Sequence, residues 1–185
     1  MEPGTEHSAR LEHDAGIVFV LDRDLRIVYC NEAWDTFARD NGGTAWERPH
    51  PYGRSLLDVI PDRLRSLYRT AYRQVFFSGV PWVHHYECSS AELYRSFRMT
   101  VTRNEDGQSL TVMNSLLEES GHSASRHAAA PVPSVHHDAT GSITMCSVCR
   151  RTLRFADQVW EWVPDYVRQP PQAVVHGLCD RCENR

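Results

Sequence analysis

Apolar residues fall into short strand-sized or helix-spaced groups up to about residue 117, thin out, and return in a denser set after residue 142. Gly16–Leu21 is a continuous apolar run of strand length, Asp22-Arg23-Asp24 reads as a turn, and Leu25–Tyr29 reads as a second strand. Asn31 can cap a helix over Glu32–Arg39, whose Ala33, Trp34, Phe37 and Ala38 share one face. Asn41-Gly42-Gly43 stops it, and Thr44–Arg54, with Pro49, Pro51 and Gly53, is a loop. From Pro61, Leu64, Leu67, Tyr68, Ala71, Tyr72, Val75 and Phe76 recur at steps of three and four, which predicts a helix buried along one stripe and ended by Gly79. Three strands are then expected: Val80–Cys88, Leu93–Thr102 and Ser109–Leu117. In the second, Phe97, Met99 and Val101 alternate with Arg98, Thr100 and Thr102, the pattern of a sheet with one buried face. Asp106-Gly107 supplies the hairpin turn before the third.

Strand, strand, helices and a three-strand meander make an α+β domain on an antiparallel sheet. Residues 118–142 break the pattern: they are Ser, Ala, Pro and His with almost no large apolar side chain, and read as a flexible linker. His122, His127, His136 and His137 are accordingly read as solvated linker residues, with accessory metal ligands as the alternative. The expected organisation is an arm over 1–15, an α+β domain over 16–119, a linker over 120–142 and a small module over 143–185.

An apolar content of 41% and a charged content of 24% are those of a soluble globular chain. No apolar run approaches the ~20 residues of a membrane span. The acidic start, Met1-Glu-Pro-Gly-Thr-Glu, lacks the order of a secretory signal, so a cytoplasmic location and no membrane partner are expected. The net charge of −4 speaks against non-specific nucleic-acid binding.

Six cysteines in a cytosolic chain do not read as a disulfide framework. Cys30 and Cys88 stand alone in strands, whereas Cys146-Ser-Val-Cys149 and Cys179-Asp-Arg-Cys182 are two CxxC pairs. Each pair lets two thiolates reach one tetrahedral ion from a tight turn, the chemistry of a closed structural zinc site. Leu153, Phe155, Val159, Trp160, Trp162, Val163, Tyr166 and Val167 form a core too small to fold without added stability from a metal. Two other readings stay open. Either CxxC could cycle between dithiol and disulfide, helped by Arg150, Arg151 and Arg181, or the set could hold an iron–sulfur cluster or haem. His176 is either a substitute ligand or a hydrogen-bond donor to a cysteine sulfur.

With the opening hairpin Ile17–Tyr29, the Asn31-Glu32-Ala33 step, Gly53–Ile60, the long helix and Phe97–Gly107 in that order, the segment from Gly16 to Glu119 resembles a PAS domain. The resemblance implies a five-stranded antiparallel sheet with helices on one face and a pocket between them. In the family that pocket holds haem, flavin or a metabolite, or is packed shut. Here no reactive Cys opens a helix in an Asn-Cys-Arg-Phe-like motif, and 61–78 contains no His of the kind haem sensors use. Tyr72, Trp82, His84 and Tyr86 are the pocket candidates for an unidentified small molecule. Cys146-x-x-Cys-Arg, the Trp160–Tyr166 segment and His176-Gly-Leu-Cys179-x-x-Cys182 resemble a zinc-ribbon-like tail found behind PAS and receiver domains of bacterial signalling proteins. Val175 and Asp180 stand where that tail usually has Ser and Pro.

No catalytic triad, acid–base carboxylate pair or phosphate loop is evident, so an enzyme is not expected. A signalling sensor or adaptor is, working through a protein partner or self-association as a homodimer. A CxxC oxidoreductase and a nucleic-acid-binding zinc module are the alternatives.

Overall fold

The computed structural model describes residues 10–122 and 128–183. The chain forms two compact units, Met1–His85 with Arg98–Leu116, and Tyr86–Phe97 with Leu117–Arg185. No described helix is long and apolar enough to cross a membrane.

In the first unit β1 (Ile17–Leu21) pairs antiparallel with β2 (Ile27–Cys30). Asp22 turns the chain between them, its Oδ1 accepting the N–H groups of Asp24 and Arg26. Asn31 is fully buried and joins three elements. Its Oδ1 accepts from Val18 N on β1 and from Trp34 N, capping α1 (Glu32–Asp40). Its Nδ2 donates to the carbonyls of Leu11, Asp14 and Gly16, which fixes the arm against the sheet. Every polar atom of this buried amide is thereby used, as burial requires.

The long helix, α2 (Asp62–Ser78), ends where expected: Gly79 takes φ +72° and returns its N–H to Val75 O. Tyr72 and Val75 are buried, with Leu64, Tyr68, Ala71 and Phe76 half-buried. Leu67 departs from the expected stripe and is 52% exposed. At 100° per residue it points about 140° away from Tyr72, outside the arc one packed face can cover. Phe77 has the same angular offset and is 92% exposed.

The main sheet has the order β2-β1-β5-β4-β3, with β3 (Trp82–Glu87), β4 (Leu93–Arg103) and β5 (Leu110–Gly121). It is the five-stranded antiparallel sheet of the sequence reading, and Phe19 opposite Val112 sets its β1–β5 register. Phe97, Met99 and Val101 are buried and Arg98 exposed, as the alternation requires. β5 continues to Gly121, past the expected end at Leu117.

In the second unit the linker expectation needs correction. Of residues 120–142, those over 128–142 are ordered by packing: Ala129 N donates to Trp162 O, α3 (Pro133–His136) forms, and His136 is 1% exposed. His127 lies outside the described residues. The region lacks large apolar residues, but Ala129 packs on the module's core and His136 and His137 meet Tyr166, which composition of the segment alone does not reveal. That module contains β6 (Ile143–Cys146), β7 (Thr152–Arg154), β8 (Val159–Glu161), α4 (Pro164–Arg168), β9 (Val174–Gly177) and α5 (Asp180–Glu183). Its sheet order is β8-β7-β6-β9, with β9 parallel to β6. Ile143, Met145, Val163 and Tyr166 are its apolar centre; Val159, expected there, is 45% exposed.

Candidate metal centre

β6 delivers Cys146 to a tight knuckle, closed by Cys146 N donating to Arg151 O and Arg150 N donating to Cys146 O. Arg150 takes φ +61°, the left-handed residue that lets Cys149 turn back beside Cys146. The second knuckle follows β9. Because β9 is parallel to β6, Cys146 lies opposite Gly177, and Ser147 N donates to Gly177 O. Cys179 therefore emerges next to the first knuckle, and α5 returns Cys182 with its N–H on Cys179 O. Gly177 leaves room for this approach: a Cβ there would lie 3.2 Å from Thr144 Cγ2 and 3.3 Å from the Trp160 ring, tighter than ordinary contact.

The result is one group of thiols. The sulfurs of Cys146, Cys149, Cys179 and Cys182 all lie within 4.8 Å of one another. Cys149 and Cys179 Sγ are 3.6 Å apart, close to the ~3.8 Å edge of a tetrahedron with zinc–sulfur bonds of about 2.3 Å. The first three cysteines are buried and Cys182 half-buried, with Val148, Trp160 and Leu178 packed around them. Cys179 N donates to Cys146 Sγ at 3.5 Å, and Arg151 Nη1 to Cys149 Sγ at 3.7 Å. All four cysteines are free thiols.

Four neighbouring thiols cannot all ionise by themselves. Hydrogen bonds from Cys149 and Cys179 stabilise the Cys146 thiolate and hold its pKa well down. The bonds of Cys149 to Cys146 and to Cys179 push Cys149 up, and the Cys146 bond pushes Cys179 up to about 11. Burial, then the Cys149 and Cys146 charges, push Cys182 up to about 12. A divalent cation reverses this logic by neutralising the crowded charge. The donor set, its spacing and its dry surroundings fit a thiophilic ion such as Zn²⁺.

His176 is exposed on β9, opposite Met145, and outside the group of four. Burial and Arg150 lower its pKa.

Three of the pocket candidates come together in the first unit. Trp82 and His84 stack with centroids 5.4 Å apart, and Tyr72 and Tyr68 meet Trp82 edge-on at 5.7 and 5.6 Å. These are contact distances, so the rings pack directly on one another. Tyr72 OH donates to Met99 Sδ, and burial with the His85 charge lowers the His84 pKa. Tyr86, in the second unit, stacks on Phe97 at 5.5 Å.

Two clusters escaped the sequence reading. Arg48 bonds Glu12 and Asp35 at 2.8 and 2.6 Å, while Tyr29 OH donates to Glu12 at 2.6 Å, tying the arm down. His136 pairs with Glu161 across the module. Neither has a local sequence signal, since the partners are 36 and 25 residues apart.

A family model described as a PAS fold matches residues 11–118. Search of curated proteins gives no match. Among solved structures, a PAS domain from Colwellia psychrerythraea is 8% identical, with 60% of this chain and 94% of that one aligned and a TM-score of 0.46. The PAS domain of the Cronobacter turicensis quorum-sensing receptor RpfR, solved with BDSF, is 14% identical, over 57% and 97% of the two chains at a TM-score of 0.44. The Vibrio cholera VqmA–ligand–DNA complex is 15% identical at a TM-score of 0.45; 63% of this chain spans 52% of VqmA, about half its length.

Proposed function

The chain belongs to the PAS-fold family through residues 11–118, and on that premise we propose that it is a non-catalytic signalling sensor or adaptor whose four-cysteine module holds a structural zinc ion. The observation that carries the metal reading is the convergence of four sulfurs from two knuckles within 4.8 Å. Cys146, Cys149, Cys179 and Cys182 would be the ligands. Zinc bound there supplies folding free energy and no open position for chemistry. Arg151, on the Cys149 sulfur, offsets part of the negative charge of four thiolates. His176 adjoins the second knuckle without being needed to complete the set.

The sensing role follows from the family. PAS-fold domains are sensors, and the ring cluster of Tyr68, Tyr72, Trp82 and His84 is where a small molecule or a redox or partner-driven change would be felt. Its close packing favours a change of packing over a preformed open pocket. The output is a contact with a protein partner or a second copy. A net charge of −4 over the whole chain is no bar to nucleic acid at a local surface, so that partner class is not set aside.

A thiol–disulfide reading has one observation in its favour, the 3.6 Å approach of Cys149 and Cys179 Sγ. Two thiols there would yield a disulfide, two protons and two electrons to an external disulfide oxidant. Elemental analysis with an absorption spectrum of the purified protein separates the readings. Zinc without visible absorption supports the structural site. Iron, a chromophore or a metal-free disulfide overturns it.

A further inference from the structure

The tip of the β3–β4 hairpin, Tyr86–Phe97, lies in one compact unit with the cysteine module. Three sets of side-chain contacts lie within this unit. His122 Nε2 lies 2.8 Å from the Ser90 carbonyl in the hairpin, and its ring centroid is 4.4 Å from that of Trp162. Arg168 on α4 donates to Glu92 Oε1 at 3.1 Å. Arg95 bonds Glu119 at 2.7 Å, holding the hairpin to the end of β5. Trp162 is 3% exposed, and the adjacent Val163 packs with Met145, the neighbour of Cys146. Ser90, His122 and Trp162 are thus in contact, and Trp162 and Met145 are the chain neighbours of Val163 in the module's core and of Cys146 in the first knuckle.

We propose that the β3–β4 hairpin and the cysteine module are thermodynamically coupled through His122 and the Arg168–Glu92 pair, so that metal loading orders the hairpin and hairpin order raises metal affinity. The inference rests on the zinc reading and assigns that site a regulatory consequence. Coupling of this kind is reciprocal: the factor by which metal steadies the hairpin equals the factor by which the steadied hairpin tightens the metal.

The test uses the full chain with Zn²⁺ as the probe. Hydrogen exchange is followed over 86–97, 117–121 and 17–30, with zinc bound and after chelation under reducing conditions. Zinc affinity is measured by chelator competition for the wild type, His122→Ala, Arg168→Glu and Arg168→Glu with Glu92→Arg. Zinc removal is expected to speed exchange over 86–97 by about fivefold or more while leaving 17–30 unchanged. His122→Ala should weaken zinc by a similar factor, and Glu92→Arg should recover part of what Arg168→Glu loses. Zinc binding with identical hairpin exchange in both states overturns the coupling and leaves the metal site intact. A fully reduced chain that takes up no zinc overturns the metal reading and the coupling together.

Discussion

His136 Nε2 lies 2.6 Å from Glu161 Oε1, with the imidazole 1% exposed and the edge of Tyr166 against it. Its other ring nitrogen meets the backbone of Val132, so both nitrogens are used. Glu161 also bonds Arg154 at 3.4 Å. The pair fastens residues 132–136 to β8.

Removing that imidazole leaves the Glu161 carboxylate with Arg154 alone of its two named partners and leaves a hole where a buried ring was. His136→Ala should destabilise the second unit by about 1–3 kcal/mol in urea unfolding. His137→Ala, whose half-buried ring meets Tyr166 with a hydroxyl contact of 3.3 Å, should cost well under that. Equal costs would show that the buried pair does not fasten the segment.

The phase of α2 gives a second expectation. Tyr72 is 1% exposed, so Tyr72→Ala should destabilise the domain by about 3–5 kcal/mol. Arg69→Ala and Phe77→Ser, both on the exposed side, should each change stability by less than ~1 kcal/mol. Urea midpoints of the three variants check the assignment.

Local patterns carried most of the first domain. Asn31 as a cap, Gly79 as a stop and the alternation Phe97–Met99–Val101 each express a rule acting within a few residues, and each holds. Leu67 was misplaced because steps of three and four drift around a helix; only the measured arc shows which side packs. The CxxC spacing announced four thiols, but not that a parallel β6–β9 pair would align the knuckles. His122 and His136 looked like solvated linker because their partners, Trp162 and Glu161, are remote in sequence. Long-range pairing is what a composition argument leaves out.

His84 provides a pH test. Burial, then the His85 charge, lower its folded pKa below the usual 6.5. A histidine held neutral by the fold binds fewer protons than its unfolded counterpart. Its contribution to stability is therefore complete above about 6.5 and is lost as pH falls through the lowered folded value. The urea midpoint should decline as pH falls from 7 towards 5, and His84→Gln should flatten that slope. An unchanged slope would exclude His84 as its source.

The most direct measurement is zinc stoichiometry on protein purified under reducing conditions, for the wild type, Cys179→Ser and His176→Ala. About one zinc per chain is expected in the wild type, loss of it in Cys179→Ser, and retention in His176→Ala with affinity weakened by no more than ~10-fold. Chelation should loosen the module around Trp160 and Trp162 while β1 and β2 stay protected from exchange. Loss of metal in His176→Ala with retention in Cys182→Ser would replace the four-sulfur site by three cysteines and a histidine. A reduced wild-type chain that holds no zinc and keeps an ordered module would contradict the site itself.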